Sequence, residues 1–321
     1  MITLSKIAKE AHVSVSTASK AFSGSPEVNE ETRQQIFEVA KRYGCFKKFF
    51  NAKYSKYVIA IICPEFNSIH YANYLSFLRQ NLEQKNCEIC VAESSFSAEK
   101  EKELLNYYYK HADVDAIIVI EPSCQIPEHA ELPVLLLGPI DENGNCPSVF
   151  CDVDSALEDS IGYLKSKGVT TVGFVGEKLT QRKLTHFHNA LNKQGIPYNE
   201  DFVQIADQRF EAGGYMAMEA LLNAEPLPRA VVCAYDDMAI GAMRCVADHG
   251  LKIPEDIAIL GMDDIPQAPY LIPPLASIDS QIDALCALAT TTVIAQINGK
   301  PVPAKQRFPS SFKLRRSFEI D

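Results

Sequence analysis

The apolar positions along the chain change rhythm once. Over residues 4–43 they recur at three- and four-residue intervals in three bursts: Leu4, Ile7, Ala8 and Ala11; a segment from Val15 to Phe22; and residues 30–43, with Ile36, Val39, Ala40 and Tyr43 on one side. His12-Val13-Ser14 and Ser23-Gly24-Ser25-Pro26 interrupt them, so the pattern predicts three compact helices. Asn29, with Thr32 three residues on, suits an N-cap, and Gly44 suits a C-terminal stop. Beyond Lys56 the rhythm becomes short continuous apolar runs, at residues 58–63, 116–120, 134–137, 172–175, 230–234 and 257–262, separated by amphipathic helices. Continuous apolarity marks strands covered on both faces, and helices between them mark right-handed crossovers, so the runs predict doubly wound parallel sheets. Six runs fit two sheets better than one. The expected fold is therefore α/β, with a three-helix head over residues 1–44, a linker over 45–57 and a body from residue 58 onward.

Charge sharpens this division. The net charge is −10, yet residues 1–56 carry ten Lys/Arg against five Asp/Glu, which leaves twenty-one against thirty-six for the remainder. A cationic head on an acidic body attracts phosphate locally while the body discourages indiscriminate binding. The ten cysteines are scattered singly through apolar runs and read as small buried hydrophobes of a reducing compartment. No apolar stretch approaches the ~18 residues of a membrane span, and residues 1–10 lack the apolar core and cleavage site of a signal peptide. The expected location is the cytoplasm, without membrane contact.

Residues 4–22, LSKIAKEAHVSVSTASKAF, have the spacing of a helix-turn-helix. Ala8 is small where the second helix must cross the first, the turn falls at His12, and Val13 and Ala18 fill the core beneath. Ser14 can cap the second helix, whose exposed face presents Val15, Ser16, Thr17, Ser19 and Lys20. Short hydroxyls, a methyl-bearing side chain and a cation suit base edges and phosphates in a major groove. Spacing alone equally allows a solvated Ser/Lys face in an ordinary helical bundle.

Residues 3–44, TLSKIAKEAHVSVSTASKAFSGSPEVNEETRQQIFEVAKRYG, resemble the head of the lactose-repressor (LacI/GalR) family almost without a gap. The resemblance implies that Val15 and Ser16 enter the major groove with Lys20, while Ser14, Thr17, Ser19 and Asn29 hold phosphates. His12 stands where the family usually has glycine; His tolerates left-handed backbone better than most residues. The linker CFKKFFNAKYSKY (residues 45–57) departs further. The family's hinge resembles YRPNxxARxL, becomes a helix on DNA and inserts a leucine into the minor groove, whereas here the proline and that leucine are missing. Phe49, Phe50 or Tyr54 could serve as the wedge, or could simply pack on the body.

The body resembles the family too, in AYDDMAIGAMRCVADHGLKIPEDIAILGMDDIPQAPYLIPPLASI (residues 234–278) and VFCDVDSA (residues 149–156). This implies a two-lobed periplasmic-binding-protein-like body that closes on a ligand. The chain would cross three times, near Ser160, Leu285 and Pro303, giving lobe 1 over about 58–160 and 286–303 and lobe 2 over about 161–285 and 304–321. Ligands of doubly wound sheets sit at the carboxyl ends of strands. Asp263, directly after ILGM, is accordingly the first candidate, and the family uses an aspartate there to accept from ligand hydroxyls or amines. Asp236 reads as a helix cap that shapes the site or as a further contact. His70 and Tyr71 fall in the family's ligand-facing loop, although a plain surface loop would hold the same residues. Lys183 replaces the usual arginine, Arg209 falls where an aromatic stacks on the ligand, and Tyr235 takes the place of a common asparagine. Two cations point to an effector carrying phosphate or carboxylate, unless Asp263 neutralises one of them and an internal ion pair fills the cleft. Either the effector is unusual or the pocket no longer binds one.

Several other patterns carry less. Cys87 and Cys90 form a single CxxC in a segment that reads as a strand, where residues three apart face opposite ways. His186 and His188 lie two apart and cannot share a helix face. There is no HExxH, Walker loop or GxSxG, and the neighbours in Asp236-Asp237 and Asp263-Asp264 read as helix caps rather than a glycosidase pair. No metal, cofactor or enzymatic activity is expected. The expectation is a homodimeric transcriptional regulator, a repressor of a catabolic or transport operon, that reads a pseudo-palindromic operator on double-stranded DNA and answers to a small sugar-like effector. With no leucine heptads after Arg316, a dimer is the expected limit. The rivals are an extracytoplasmic solute-binding protein, which the body alone fits, and an enzyme acting on a nucleotide or sugar.

Overall fold

The computed structural model describes residues 2–49, 56–126, 132–138 and 146–321. Contacts divide the chain into two units, Met1–Tyr57 and Val58–Asp321, each with its own core.

In the first unit α1 (Leu4–Glu10), α2 (Val15–Phe22) and α3 (Glu30–Arg42) bury Ile7, Ala8, Ala18, Ala21, Phe22, Ile36 and Ala40 against one another. His12 carries the chain between α1 and α2 at φ 55°, the left-handed turn required at a position that tolerates no β-branched residue. Ser14 Oγ accepts the Thr17 N–H at 3.0 Å to start α2, and Asn29 Oδ1 accepts the Thr32 N–H at 2.8 Å to start α3. Arg33 fastens the connection between those helices. Its guanidinium donates to the carbonyls of Ala21, Ser25 and Val28 at 3.1, 2.8 and 2.9 Å. A single further turn, α4 (Phe46–Phe49), brings the Phe46 and Phe49 rings to 6.2 and 5.8 Å from Phe22. Phe49, one of the candidate wedges, is therefore packed into the head core; Phe50 and Tyr54 lie outside the described residues.

The elements that follow are β1 (Tyr57–Cys63), α5 (Ile69–Glu83), β2 (Cys87–Glu93), α6 (Ala98–His111), β3 (Ala116–Ile120), β4 (Val134–Leu137), β5 (Ser148–Asp152) and α7 (Val153–Ser166). Next come β6 (Val172–Glu177), α8 (Gln181–Gln194), β7 (Val203–Ala206), α9 (Phe210–Leu221), β8 (Ala230–Cys233), α10 (Asp236–Asp248) and β9 (Ala258–Met262). The chain ends with β10 (Ala276–Asp279), α11 (Ile282–Ile297), β11 (Lys305–Pro309) and β12 (Ser311–Lys313). They form two six-stranded sheets, ordered β11-β5-β4-β3-β1-β2 and β12-β10-β9-β8-β6-β7. Parallel pairing dominates, with β12 antiparallel to β10. The continuous runs are explained by two-sided burial. Along β1, Ile59 and Ile61 enter the core on one face of the first sheet, while Ala60 and Ile62 enter the core on the other.

Each lobe holds one sheet, and the chain crosses between them three times. The crossings fall between Asp152 and Val153, at residues 280–281, and at Ser310, rather than near Ser160, Leu285 and Pro303. A helix commits its apolar face to one sheet, so a crossing at Ser160 or Leu285 would split a helix between two cores. The whole of α7 packs on α8 and β12, and the whole of α11 packs on α5, β4 and β5. β11 pairs with β5 in the first sheet before the chain passes to β12 in the second. Among the described residues no helix is long and apolar enough to cross a membrane.

Candidate functional site

On the head, the outer face of α2 carries the side chains expected to meet DNA. Val15 is 46% exposed despite its apolar side chain, and Ser14, Ser16 and Ser19 are exposed beside it. Thr17 is half-buried, and its hydroxyl lies 2.8 Å from that of Ser14, so part of this pair is engaged in holding the helix start. Lys20 forms an ion pair with Glu27, and Asn29 is exposed with its carbonyl oxygen spent on the α3 cap.

In the body a cavity of about 310 Å³ opens between the lobes. The residues just past the carboxyl ends of β1, β3, β6, β8 and β9 converge there, and His70, Tyr71, Lys183, Arg209, Tyr235 and Asp263 all line it. Asp263 holds the centre. Its Oδ1 lies 3.3 Å from both His70 Nδ1 and Lys183 Nζ, and Lys183 also donates to the Ala234 carbonyl at 2.8 Å. His70 Nε2 stands 3.9 Å from Glu121 Oε1, and the Tyr71 hydroxyl donates to Glu121 Oε2 at 2.7 Å. Arg209 gives both terminal nitrogens to Glu65, at 2.5 and 2.9 Å. Its Nε is 3.5 Å from Glu177 Oε1 but too poorly aligned for a hydrogen bond. The guanidinium carbon lies 5.1 and 4.6 Å from the Phe96 and Phe210 ring centres. Tyr235 accepts the Phe210 N–H at its hydroxyl, 3.0 Å away, and so shapes the wall beside Arg209.

Two of these contacts span the cleft: Glu65 and His70 belong to the first lobe, and their partners Arg209 and Asp263 to the second. The electrostatics follow from the pairing. Burial works against a charge on His70, but Asp263 and Glu121 outweigh it and raise its pKa above the ordinary imidazole value. Burial likewise opposes ionisation of Glu121, yet His70 and the Tyr71 hydroxyl hold it at about 2. Asp237 goes the other way: burial, then Glu211 and Asp263, push its pKa up to about 6.

The acidic pairs are not helix caps. The cap of α10 is Tyr235, and no side chain caps it. Asp236 is fully buried and instead accepts from Ser277 Oγ at 2.7 Å and from the Ile265 N–H at 2.8 Å, tying α10 to β10 and to the segment after β9. Gly261 makes room for it, since a Cβ there would sit 2.0 Å from Asp236 Oδ1. Asp264 pairs with Arg315 at 2.6 Å. Glu65, Glu121, Glu177 and Asp237 line the cavity and were missed as candidates. Glu65 and Glu121 follow β1 and β3 as Asp263 follows β9, so the rule that selected Asp263 would have found them.

Residues 3–44 match the description "Bacterial regulatory proteins, lacI family", and residues 161–318 match a periplasmic binding protein-like domain. Catabolite control protein A of Priestia megaterium is 26% identical over 331 residues, spanning 98% of this chain and 99% of its own length. The HTH-type transcriptional regulator AscG of Escherichia coli strain K12 is 25% identical over 333 residues, spanning 99% and 98%. The chain belongs to the LacI family of bacterial regulatory proteins. The Lac repressor dimer, solved bound to operator and the anti-inducer ONPF, shares the fold with a TM-score of 0.73 at 19% identity over 99% of each chain.

As a LacI-family member the protein is a DNA-binding transcriptional regulator, and its relatives are named as regulators and repressors rather than enzymes. Its departures from the LacI-family pattern now have a physical form. His12 replaces a turn glycine by adopting the left-handed conformation itself. Arg209, expected at a position of ligand stacking, holds its guanidinium over the Phe96 and Phe210 rings.

Proposed function

We propose that the protein is a homodimeric cytoplasmic repressor whose two heads read a pseudo-palindromic operator and whose interlobe cleft holds a small sugar-like effector. Val15, Ser16 and Lys20 enter the major groove, and Ser14, Thr17, Ser19 and Asn29 hold phosphates. Lys20 must exchange Glu27 for DNA, which costs little, because exposed ion pairs contribute about 0–1 kcal/mol. The Lac repressor structure, a dimer holding operator and anti-inducer, supports the choice of partners.

One observation carries the regulatory half: the cavity is bridged by contacts from opposite lobes, Glu65 to Arg209 and His70 to Asp263. Whatever occupies it alters how the lobes meet, and coupling between effector and DNA affinity is then reciprocal. The motive for an anionic effector falls away. Lys183 and Arg209 both have carboxylate partners, so neither calls for a phosphate or carboxylate from outside.

The test pairs two measurements on the full chain. Thermal shift identifies a ligand among neutral sugars, amino sugars, sugar phosphates and sugar acids, since a ligand stabilises the state it binds. Fluorescence anisotropy with DNA from upstream of neighbouring transport and catabolic genes then reads affinity with and without it. The ligand is expected to change DNA affinity, and DNA to change ligand affinity by the same factor. A ligand that stabilises the body yet leaves DNA affinity unaltered contradicts the coupling.

A further inference from the structure

The charges of the cleft do not balance. Five carboxylates line it against three fixed cations, and one of those, Arg182, is exposed to solvent. The inner cations are each matched: Arg209 by Glu65 and Glu177, and Lys183 by Asp263. Asp237 is not. It is the second residue of α10, 5% exposed, and lines the cavity, yet its carboxylate makes no hydrogen bond or ion pair with any described residue. Burial acts most strongly against its charge, Glu211, Asp263 and Glu65 add to that, and His70 works the other way.

A buried carboxylate without a partner is costly and is stabilised most by a donor that also brings positive charge. Water or a hydroxyl satisfies its lone pairs but leaves its charge uncompensated. An ammonium does both. The cavity of about 310 Å³ lies at the small end of ligand sites, which run from about 300 to 1,000 Å³. Tyr71, Tyr74, Phe150 and Tyr235 supply flat apolar surface, and Glu121 supplies a further acceptor. We propose that the effector is a monosaccharide-sized amine, an amino sugar or a similarly compact aminated polyol, whose ammonium group is received by Asp237. This rests on the reading of the cleft as an effector site and adds the chemical class of the effector.

The proposal is tested by isothermal titration calorimetry on the full chain at pH 7. The probes are glucosamine, galactosamine and mannosamine, each beside its N-acetyl derivative and its parent hexose. N-acetylation removes the charge and keeps most of the shape. At least one amine is expected to bind at least about tenfold more tightly than its two neutral counterparts, the scale of a charge-assisted hydrogen bond. Asp237→Asn, which keeps the shape and an acceptor, is expected to erase that preference while its melting temperature shows an intact fold. A neutral sugar that binds as well as its amine, or full amine affinity in Asp237→Asn, overturns the amine assignment and leaves the effector cleft standing. Binding by none of these sugars removes the amine assignment and the sugar reading of the cleft together.

Discussion

Replacing Asp237 with asparagine removes a charge that the protein buries without a protein partner, so the variant is expected to be more stable than the parent at neutral pH. The magnitude follows from the pKa, which moves from an ordinary 3.8 to about 6 on folding. A carboxylate whose folded pKa is raised destabilises the native state above that value, because the unfolded chain ionises first. The cost is complete above about pH 6 and absent below about pH 3.8. At about 1.4 kcal/mol per unit this gives about 3 kcal/mol at pH 7, falling to about 1 kcal/mol at pH 4.5. Urea unfolding of parent and variant at both pH values, without added ligand, reads the difference directly. A gain at neutral pH that shrinks in acid supports the assignment. An asparagine variant that is less stable at pH 7, or a gain independent of pH, would show that Asp237 has a partner or no burial cost. Such a stabilising change at a functional position is the usual mark of a residue retained for binding rather than for the fold.

The remaining expectations concern the cleft contacts and the head. His70 has a raised folded pKa, so its charged contacts stabilise the body fully below the unfolded value near 6.5 and fade as pH rises through the folded one. His70→Gln should accordingly lose most against the parent at pH 6 and least at pH 9, measured by the same urea titrations; a gap that widens with pH would refute the pairing. A double-mutant cycle of Glu65→Ala and Arg209→Ala should give a coupling of about 1.5–3 kcal/mol, as for hydrogen bonds to charged groups, and a value under about 0.5 kcal/mol would show that the bridge holds nothing. Lys20→Ala is expected to cost about 1–3 kcal/mol of operator binding and to relax preference at one base position. An equal loss on random DNA would make Lys20 a phosphate contact.

What was legible in the sequence was whatever depends on near neighbours along the chain. The head could be read because Ser14, Asn29 and His12 act within three or four residues of themselves, as caps and a turn. The central strands could be read because both faces are buried and every residue is apolar, as in β1 and β3. β11 could not: at the sheet edge Lys305–Pro309 alternates exposed and half-buried positions and needs no apolar run. The crossings were misplaced by several residues because nothing in composition marks where a helix commits to one sheet or the other. In the cleft, position was legible and pairing was not. Arg209 and Glu65 are 144 residues apart, and a cation read alone suggests an anionic ligand, whereas the folded chain already supplies the anion. Asp237 was hidden behind Asp236. Only the burial of one in a hydrogen-bonded bridge and of the other against a cavity tells the two apart.

Selection from a pool of randomised double-stranded DNA by the full chain, followed by sequencing, asks whether the head and body act together as a dimeric reader. A regulator that places two copies of α2 in successive major grooves should enrich a two-fold symmetric site with half-sites about 10 base pairs apart, or a multiple of that. Enrichment should be lost in a variant carrying Ser16→Ala and Lys20→Ala. Recovery of no consensus, or of a single asymmetric half-site unaffected by those substitutions, would contradict the assignment of α2 as the recognition helix of a homodimer.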